Sequence, residues 1–291
     1  MRTQLDQKWG FLRVLEIGVA FSFGIKVCLE LPSLKSLYST YGFAQARIGD
    51  LYSISAAPAL NILSGRVIFD TDARVAGALL FILIAAASTV PLLCGLGRPW
   101  TAAAAWFSQI VLFNSTQLTA YGADGFLLVI TFYCFVTTFL WKKNFDDSET
   151  IANLCQNTLL AHVSIVYLAS GLAKLKGVHW WDGSAFWFAI HQPQFHTPLT
   201  ELLIKLSRTF PLSPFVSWTT LLFEVSYPLL SLWISTRRIA LGMAIVFHIM
   251  IGFFMGLWFF SVVMCSFVIA ANYSVLPNRV KDLLLSKCGQ S

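Results

Sequence analysis

Long stretches without any charged residue are the main feature of the hydrophobic pattern along this chain. Residues 75–96 and 239–271 contain no Asp, Glu, Lys or Arg. A helix needs about 20 apolar residues to cross a lipid bilayer, and both stretches reach that length. The pattern therefore predicts an all-α protein that crosses a membrane several times.

About eight hydrophobic segments follow one another, and each has a length compatible with a membrane span. They cover roughly residues 11–31, 75–96, 99–121, 124–141, 155–175, 214–235, 238–256 and 257–276. A short turn at residues 122–124 is expected between the third and fourth segments, and a tight hairpin at Gly256 between the last two. The first segment is the least apolar, so its charged residues are expected to be buried against other helices.

Two long connections, 32–74 and 177–213, interrupt this series. Both contain aromatic residues that prefer the membrane interface, so short interfacial helices are expected there. Lys and Arg concentrate in the loops on one side, and this bias places those loops in the cytoplasm. The N-terminus is therefore predicted inside, and both long connections are predicted to be extracytoplasmic. The basic residues assigned to the inside are Arg2, Lys8, Arg98, Lys142, Lys143, Arg237, Arg238, Arg279, Lys281 and Lys287.

Composition supports a membrane protein over a soluble one. The 291 residues are 57% hydrophobic and 12% charged, whereas a soluble domain carries about 25% charged residues. We expect a single transmembrane domain over residues 1–291, with the lipid bilayer as a partner and no appended soluble domain. The net charge of +6 lies in short loops, so nucleic acid is not expected as a partner. The six cysteines form no CxxC pair, so no metal site is expected.

The segment 155–175 carries polar residues at helical spacing. Ser164, Tyr167, Gly171 and Lys174 recur every three or four residues, which places them on one helix face. A partly desolvated lysine loses some of its preference for the charged form and can act as a base. The alternative is that Lys174 and the nearby Lys176 extend to the membrane interface and have no chemical role.

A second polar set spans the third and fourth segments. Asn114, Gln117, Tyr121 and Asp124 show the same spacing, which predicts a polar stripe facing the interior of the bundle. The stripe is expected either to line a substrate cavity or to form hydrogen bonds between helices.

Two further ionisable residues lie inside hydrophobic segments, where such groups are costly. His248 is either a hydrogen-bonded core residue or a proton carrier. Glu224 needs a partner, and the candidates are Lys174, His248 and the first-segment residues Arg13 and Lys26. A Glu224–Lys174 pair would hold the lysine in its charged form.

The aromatic sequence after Lys174 is expected to shape the entrance of a site. Trp181 and Asp182, with His179 and Trp180 beside them, follow the lysine directly. Tryptophan favours the headgroup level of a bilayer, so these residues are predicted at the interface.

These residues carry a resemblance to a known family. The stretch "IVYLASGLAKLKGVHWWDGSAF" resembles the vitamin K-dependent gamma-carboxylase family and its wider HTTM superfamily, through Tyr167, Gly171, Lys174, Trp181 and Gly183. The stretches "FLRVLEIGVAF", "QLTAYGADGFLLVITFYCFV" and "FHIMIGFFMGLWFFSVVMCSFVIA" are similar to other helices of that family. The resemblance implies that Lys174 is a general base acting on a reduced quinone.

Two positions depart from the carboxylase pattern. The family carries two adjacent lysines where this chain has Ala173 and Lys174, and a functional histidine of its central helices matches Gln117. The compact length instead resembles the bacterial sporulation-delaying protein B branch of the superfamily. That branch implies a protein of the bacterial cytoplasmic membrane that matures a secreted peptide.

The hypothesis is therefore a membrane maturation or modification factor for a secreted peptide precursor. Its candidate catalytic residues are Lys174, His248 and Tyr167, and its candidate substrate-binding residues are Asn114, Gln117, Tyr121, Asp124, Trp181, Asp182 and Glu224. The alternatives are a quinone-linked oxidase or carboxylase, a non-enzymatic transporter, and a membrane subunit that binds a partner.

Overall fold

The computed structural model describes residues 9–38, 71–115, 121–143 and 148–286, and all regular structure in these ranges is helical. The prediction of an all-α protein is confirmed. A helix lies at each of the eight hydrophobic segments: α1 (Gly10–Glu30), α3 (Thr71–Cys94), α4 (Trp100–Ser115), α5 (Gly122–Lys142), α6 (Ser148–Leu175), α10 (Leu212–Leu230), α11 (Ile234–Met255) and α12 (Trp258–Ala271).

Shorter helices occupy the connections and the end of the described chain. They are α2 (Leu34–Tyr38), α7 (Val178–Trp181), α8 (Ala185–Ile190), α9 (Thr200–Thr209) and α13 (Asn278–Ser286), with 3₁₀ turns at Leu31–Ser33, Pro193–Phe195 and Tyr273–Val275. The second long connection thus contains short helices, as expected. Most of the first connection, residues 39–70, lies outside the described residues.

Four helices of the described chain are long and apolar enough to cross a membrane. Their apolar parts are Val75–Cys94, Gly122–Lys142, Glu149–Leu175 and Ile234–Met255. Among the others, α4 and α12 have only 16 and 14 residues. Helix α1 carries four charged residues, and α10 contains several serines and threonines besides Glu224. The number of eight spans, the extracytoplasmic connections and the cytoplasmic N-terminus stay predictions.

The chain divides into two compact units. Unit 1 comprises Met1–Ile151 and Leu283–Ser291, and unit 2 comprises Ala152–Asp282. Helices α1 to α5 belong to unit 1, and helices α7 to α12 with nearly all of α6 belong to unit 2. The single domain over residues 1–291 stays a prediction.

Helix α1 is the buried centre of unit 1. It contacts α3 and α5, and its large side chains Phe11, Leu15 and Phe23 are fully buried. Arg13 and Glu16 on the same helix are also buried, at 4% and 0% exposure. The expectation that this helix hides its charges is confirmed, because each charge has partners inside unit 1.

Glu16 lies between two arginines. Arg13 Nη1 donates to Glu16 Oε2 at 3.1 Å, and Arg98 donates from Nε and Nη2 to both oxygens of the same carboxylate. Arg13 also donates to the backbone carbonyls of Leu92 and Leu93. These carbonyls belong to the last turn of α3, where the helix runs out of backbone N–H donors for its carbonyl oxygens. The network therefore joins the N-terminal part of α1 to the end of α3.

A second charged group in unit 1 surrounds Lys26. Its ammonium pairs with Glu30 at 2.7 Å and with Asp124 of α5 at 2.5 Å, and Tyr38 Oη donates to Glu30 at 2.9 Å. Asp124 also forms a reciprocal capping arrangement with Tyr121 at the start of α5. The expected turn at residues 122–124 is therefore wrong. These residues form the first turn of α5, because the carboxylate of Asp124 accepts a hydrogen bond from the free backbone N–H of Tyr121.

Unit 2 contains the predicted hairpin. Helix α11 ends at Met255, Gly256 adopts a left-handed conformation with φ of 69°, and α12 begins at Trp258. Glycine suits this position because it has no Cβ to clash in that conformation. Ser261 Oγ donates to the carbonyl of His248 at 2.6 Å, which joins the two helices.

The charged network of α1 gives a stability prediction. Glu16→Gln removes the charge that neutralises two arginines and is expected to lower the free energy of unfolding by about 3–5 kcal/mol. Denaturant unfolding in detergent measures it. Glu201→Gln, at a carboxylate side chain that is 62% exposed, is the matched control and should cost less than about 1 kcal/mol. Equal stability of the two variants would contradict the role of the network.

Candidate functional site

Lys174 and Glu224 form an ion pair between α6 and α10. Lys174 Nζ lies 2.8 Å from Glu224 Oε1 and 2.7 Å from Oε2, and it donates to Ser170 Oγ at 2.6 Å. The three protons of the ammonium group thus match three acceptors. Of the partners considered for Glu224, the structure selects Lys174. The lysine side chain is 22% exposed and the glutamate only 5%, so the pair is approachable from the lysine side.

Gly171 brings the two helices close enough for this pair. A Cβ built at this glycine would lie 2.8 Å from Val225 Cγ2, 3.1 Å from the Val225 backbone nitrogen and 3.2 Å from Glu224 Cβ. A contact with backbone cannot be relieved by rotating a side chain. The small residue one turn before Lys174 therefore sets the distance between α6 and α10 at the ion pair.

One tryptophan contacts the ion pair, and two others hold the loop that carries it. Lys174 Nζ lies 5.3 Å from the ring centre of Trp180, within the range of a cation–π contact. Trp181 Nε1 donates to the Leu175 carbonyl at 2.8 Å, and Trp218 Nε1 of α10 donates to the Trp181 carbonyl at 3.1 Å. These bonds fix α7 across the end of α6, where Trp180 contacts the lysine.

Asp182 stabilises the loop beside the tryptophans. The backbone N–H and the hydroxyl of Ser184 donate to its Oδ1 at 2.8 and 2.6 Å, and His179 Nδ1 lies 3.5 Å from its Oδ2. The hydrogen bonds from Ser184 hold the pKa of the Asp182 carboxyl below its usual range. Asp182 is thus exposed and bonded within its own loop, next to Trp181.

Tyr167 and His248 form a second polar contact within unit 2. Tyr167 Oη and His248 Nε2 lie 2.8 Å apart, and both residues are 2% exposed. Aromatic rings enclose them, with Phe223 and Tyr227 against Tyr167 and Phe260 against His248. His248 Nδ1 is buried without a hydrogen-bond partner. The pair therefore has one free ring nitrogen in an apolar environment.

The predicted polar stripe does not lie on one helix face. Asn114 lies on α4 and donates to the Ile110 carbonyl of its own helix at 2.8 Å. Tyr121 precedes α5 with extended backbone, and Asp124 lies in the first turn of α5. A spacing of three and four residues places side chains on one face only within a single helix, and this set extends across the start of α5. Gln117 lies outside the described residues.

The candidate residues are thus divided between the two units. Asn114, Tyr121 and Asp124 belong to unit 1, whereas Lys174, Glu224, Tyr167, His248, Trp181 and Asp182 belong to unit 2. Sequence reasoning missed Ser170 and Trp180 as partners of the lysine. Ser170 precedes Lys174 by four residues, so helical spacing was the signal that identifies it. In the described part of the chain, no group of three or more His, Cys, Asp or Glu side chains is placed to hold a metal ion.

The close approach at Gly171 predicts a sharp difference between two glycines. Gly171→Ala is expected to cost about 1–3 kcal/mol of unfolding free energy because the new methyl group meets the backbone of α10. Gly242→Ala, on α11 with open space around it, is expected to be neutral or stabilising by up to about 1 kcal/mol. Unfolding in detergent compares them, and equal effects would show that α6 and α10 do not pack as described.

The buried contact between Tyr167 and His248 gives a second prediction. Tyr167→Phe keeps the aromatic packing but leaves His248 Nε2 without a partner, at a cost of about 1–3 kcal/mol. The same unfolding measurement tests it, with circular dichroism to check that the helices are retained. Unchanged stability would mean that the hydrogen bond is not formed.

Comparison with known proteins places this architecture in a family. The chain is 29% identical to sporulation-delaying protein SdpB of Bacillus subtilis (strain 168) over 181 residues, which cover 57% of this chain. The match spans 55% of SdpB, about half of its length. No solved structure matches the chain. The HTTM domain profile matches residues 124–275, more than half of the sequence and including the Lys174–Glu224 and Tyr167–His248 pairs. The chain therefore belongs to the HTTM domain family of membrane proteins.

Proposed function

We propose that this HTTM membrane protein acts in the maturation of a secreted peptide, with the Lys174–Glu224 pair as the centre of its reactive site. The observation that carries the proposal is the partly exposed lysine, held between Glu224 and Ser170 with Trp180 over it. Similarity to SdpB, whose name describes a sporulation-delaying protein, supports the peptide as the class of substrate.

Several features of the Lys174–Glu224 pair suit a site that binds a peptide and reacts with it. Glu224 is nearly fully buried, whereas Lys174 keeps an exposed side. The backbone of the loop after α6 is fixed by indole hydrogen bonds from Trp181 and Trp218. A ligand that approaches from the loop side therefore meets the lysine first and the carboxylate behind it. Aromatic side chains at that entrance offer apolar surface for a peptide at the membrane interface.

The ion pair is the resting state of the proposed base. A bound peptide that excludes water from the pair favours transfer of one proton from Lys174 Nζ to a carboxylate oxygen of Glu224, because two neutral groups cost less than two ions in a dry site. The step breaks one N–H bond and forms one O–H bond. The resulting neutral amine can then accept a proton from the bound peptide.

Exchange of Lys174 for arginine distinguishes the role of the lysine as a base from its role in the ion pair. Lys174→Arg keeps the positive charge and can still bind Glu224 with two hydrogen bonds, but a guanidinium does not release its proton in proteins. We expect this variant to fold and to lose more than about 100-fold of the maturation activity, the lower bound for loss of a general base. Lys176→Arg, at the exposed lysine two residues later, is the matched control and should retain activity.

The measurement is mass spectrometry of the peptides that the native host secretes. Comparison of cells with and without this protein identifies the peptides whose masses depend on it, and the two arginine variants are then scored on those masses. Absence of any dependent peptide would contradict the proposed function. Full activity of the Lys174→Arg variant would contradict the role of the lysine as base.

A further inference from the structure

Four basic residues gather at one end of unit 2, outside the site described above. Arg237 and Arg238 lie in the first turns of α11, and Arg279 and Lys281 lie in the first turn of α13. Within the described residues, no carboxylate lies within 4.0 Å of any of these four cationic groups. We name these residues the cationic cluster. Among the described residues, these four cations thus have no carboxylate partner, whereas Lys174 and Arg13 each pair with a glutamate.

Two members of the cluster converge on one turn of backbone. Arg237 Nη1 lies 3.4 Å from Ser274 Oγ, and Lys281 Nζ donates to the Ser274 carbonyl at 2.9 Å. Arg237 Nε also donates to Asn272 Oδ1 at 3.2 Å, and Asn272 is itself buried and bonded to Tyr227. The turn at residues 273–275 thus holds the guanidinium and the ammonium close together.

Unsatisfied donors lie in the same place. Arg237 Nη2 and Tyr273 Oη are both buried without a hydrogen-bond partner, and Lys281 Nζ lies 5.4 Å from the Tyr273 ring. Buried polar groups in native proteins are nearly always bonded, so two unpaired donors beside cations that have no carboxylate partner among the described residues point to a missing acceptor. An anion supplies such an acceptor.

The electrostatic setting favours an anion as well. The N-terminal end of a helix carries partial positive charge, which makes basic residues in a first turn unfavourable there. The cluster places basic residues at two such ends, α11 and α13. Burial, and after it the nearby Arg238 guanidinium, lower the pKa of Lys281, as expected for a cation held close to another. The exposed Asp282 follows Lys281 but pairs with none of the four.

The position relative to the bilayer identifies the source of the anion. Helix α11 is one of the candidate spans, and the residues at its start, Leu232, Trp233 and Ile234, are 68%, 62% and 65% exposed. Exposed apolar side chains with a tryptophan among them are typical of the boundary between acyl chains and headgroups. We therefore expect the cluster at the depth of the lipid phosphates.

We propose that the cationic cluster binds the phosphate group of an anionic phospholipid, with Arg237 Nη2 and Lys281 Nζ as its main donors. Basic pockets at the ends of membrane helices are suited to such headgroups. This site is independent of the Lys174–Glu224 pair, and its function is to anchor the start of α11 at the membrane surface.

The test uses the full chain in a neutral detergent, titrated with phosphatidylglycerol, phosphatidylcholine or inorganic phosphate. Retained lipid is counted by native mass spectrometry, and the melting temperature is followed in parallel. Phosphatidylglycerol is expected to bind and to raise the melting temperature, whereas phosphatidylcholine and inorganic phosphate at the same concentration do not. Equal effects of phosphatidylcholine would overturn the anion site, and equal effects of inorganic phosphate would overturn the lipid as its source.

A matched pair of double variants locates the site. Arg238→Gln with Lys281→Gln is expected to weaken phosphatidylglycerol binding about 25-fold, at about fivefold for each charge removed. These substitutions spare Arg237, whose contact with Asn272 supports the fold. Lys205→Gln with Arg208→Gln removes two exposed charges from α9 and is expected to change binding less than twofold. Equal losses in both double variants would overturn the assignment to this cluster.

Discussion

The ion pair between Lys174 and Glu224 is the interaction on which the proposed function of this protein depends. An ammonium group near the end of a membrane helix needs acceptors, and here a neighbouring helix supplies a carboxylate with both oxygens in contact. Gly171 allows that contact by removing the side chain that would separate the helices. The pair in turn positions the lysine under Trp180, on the more exposed side of the pair. Packing, charge and access thus follow from one contact within unit 2.

The same constraint organises the other charges, and it distinguishes the cationic cluster from them. In unit 1, Glu16 lies between Arg13 and Arg98, and Lys26 pairs with Asp124 and Glu30. Each of these buried charges is paired with an opposite charge inside its own unit, as expected of groups removed from water. The cationic cluster at the starts of α11 and α13 has basic residues and unpaired donors without acids, which is why an external anion is the natural partner. In this proposal, carboxylates of the protein neutralise the buried cations of unit 1, and a lipid phosphate neutralises the cationic cluster.

Much of the helical architecture could be predicted from the sequence, because membrane helices are specified locally by apolar runs and by glycines at helix ends. The hairpin at Gly256 and the burial of charge on α1 follow from such local rules. Lys174 could be named as a possible partner of Glu224, but only as one of several, because spacing along one helix does not show which helices are neighbours. The contact between Glu16 and Arg98 could not be predicted for the same reason, because these residues lie 82 positions apart in the sequence. The stripe from Asn114 to Asp124 failed for the opposite reason, since a regular spacing was continued through the start of α5.

A double-mutant cycle between Lys174 and Glu224 tests the central claim most directly. The unfolding free energies of Lys174→Met, Glu224→Gln and the double variant are compared with that of the unaltered protein in the same detergent. The account predicts that each single variant leaves an unpaired charge, so the double variant loses less than the sum of the singles, with a coupling energy of about 1–3 kcal/mol. Strict additivity of the two substitutions would contradict it, because the two side chains would then not be in contact.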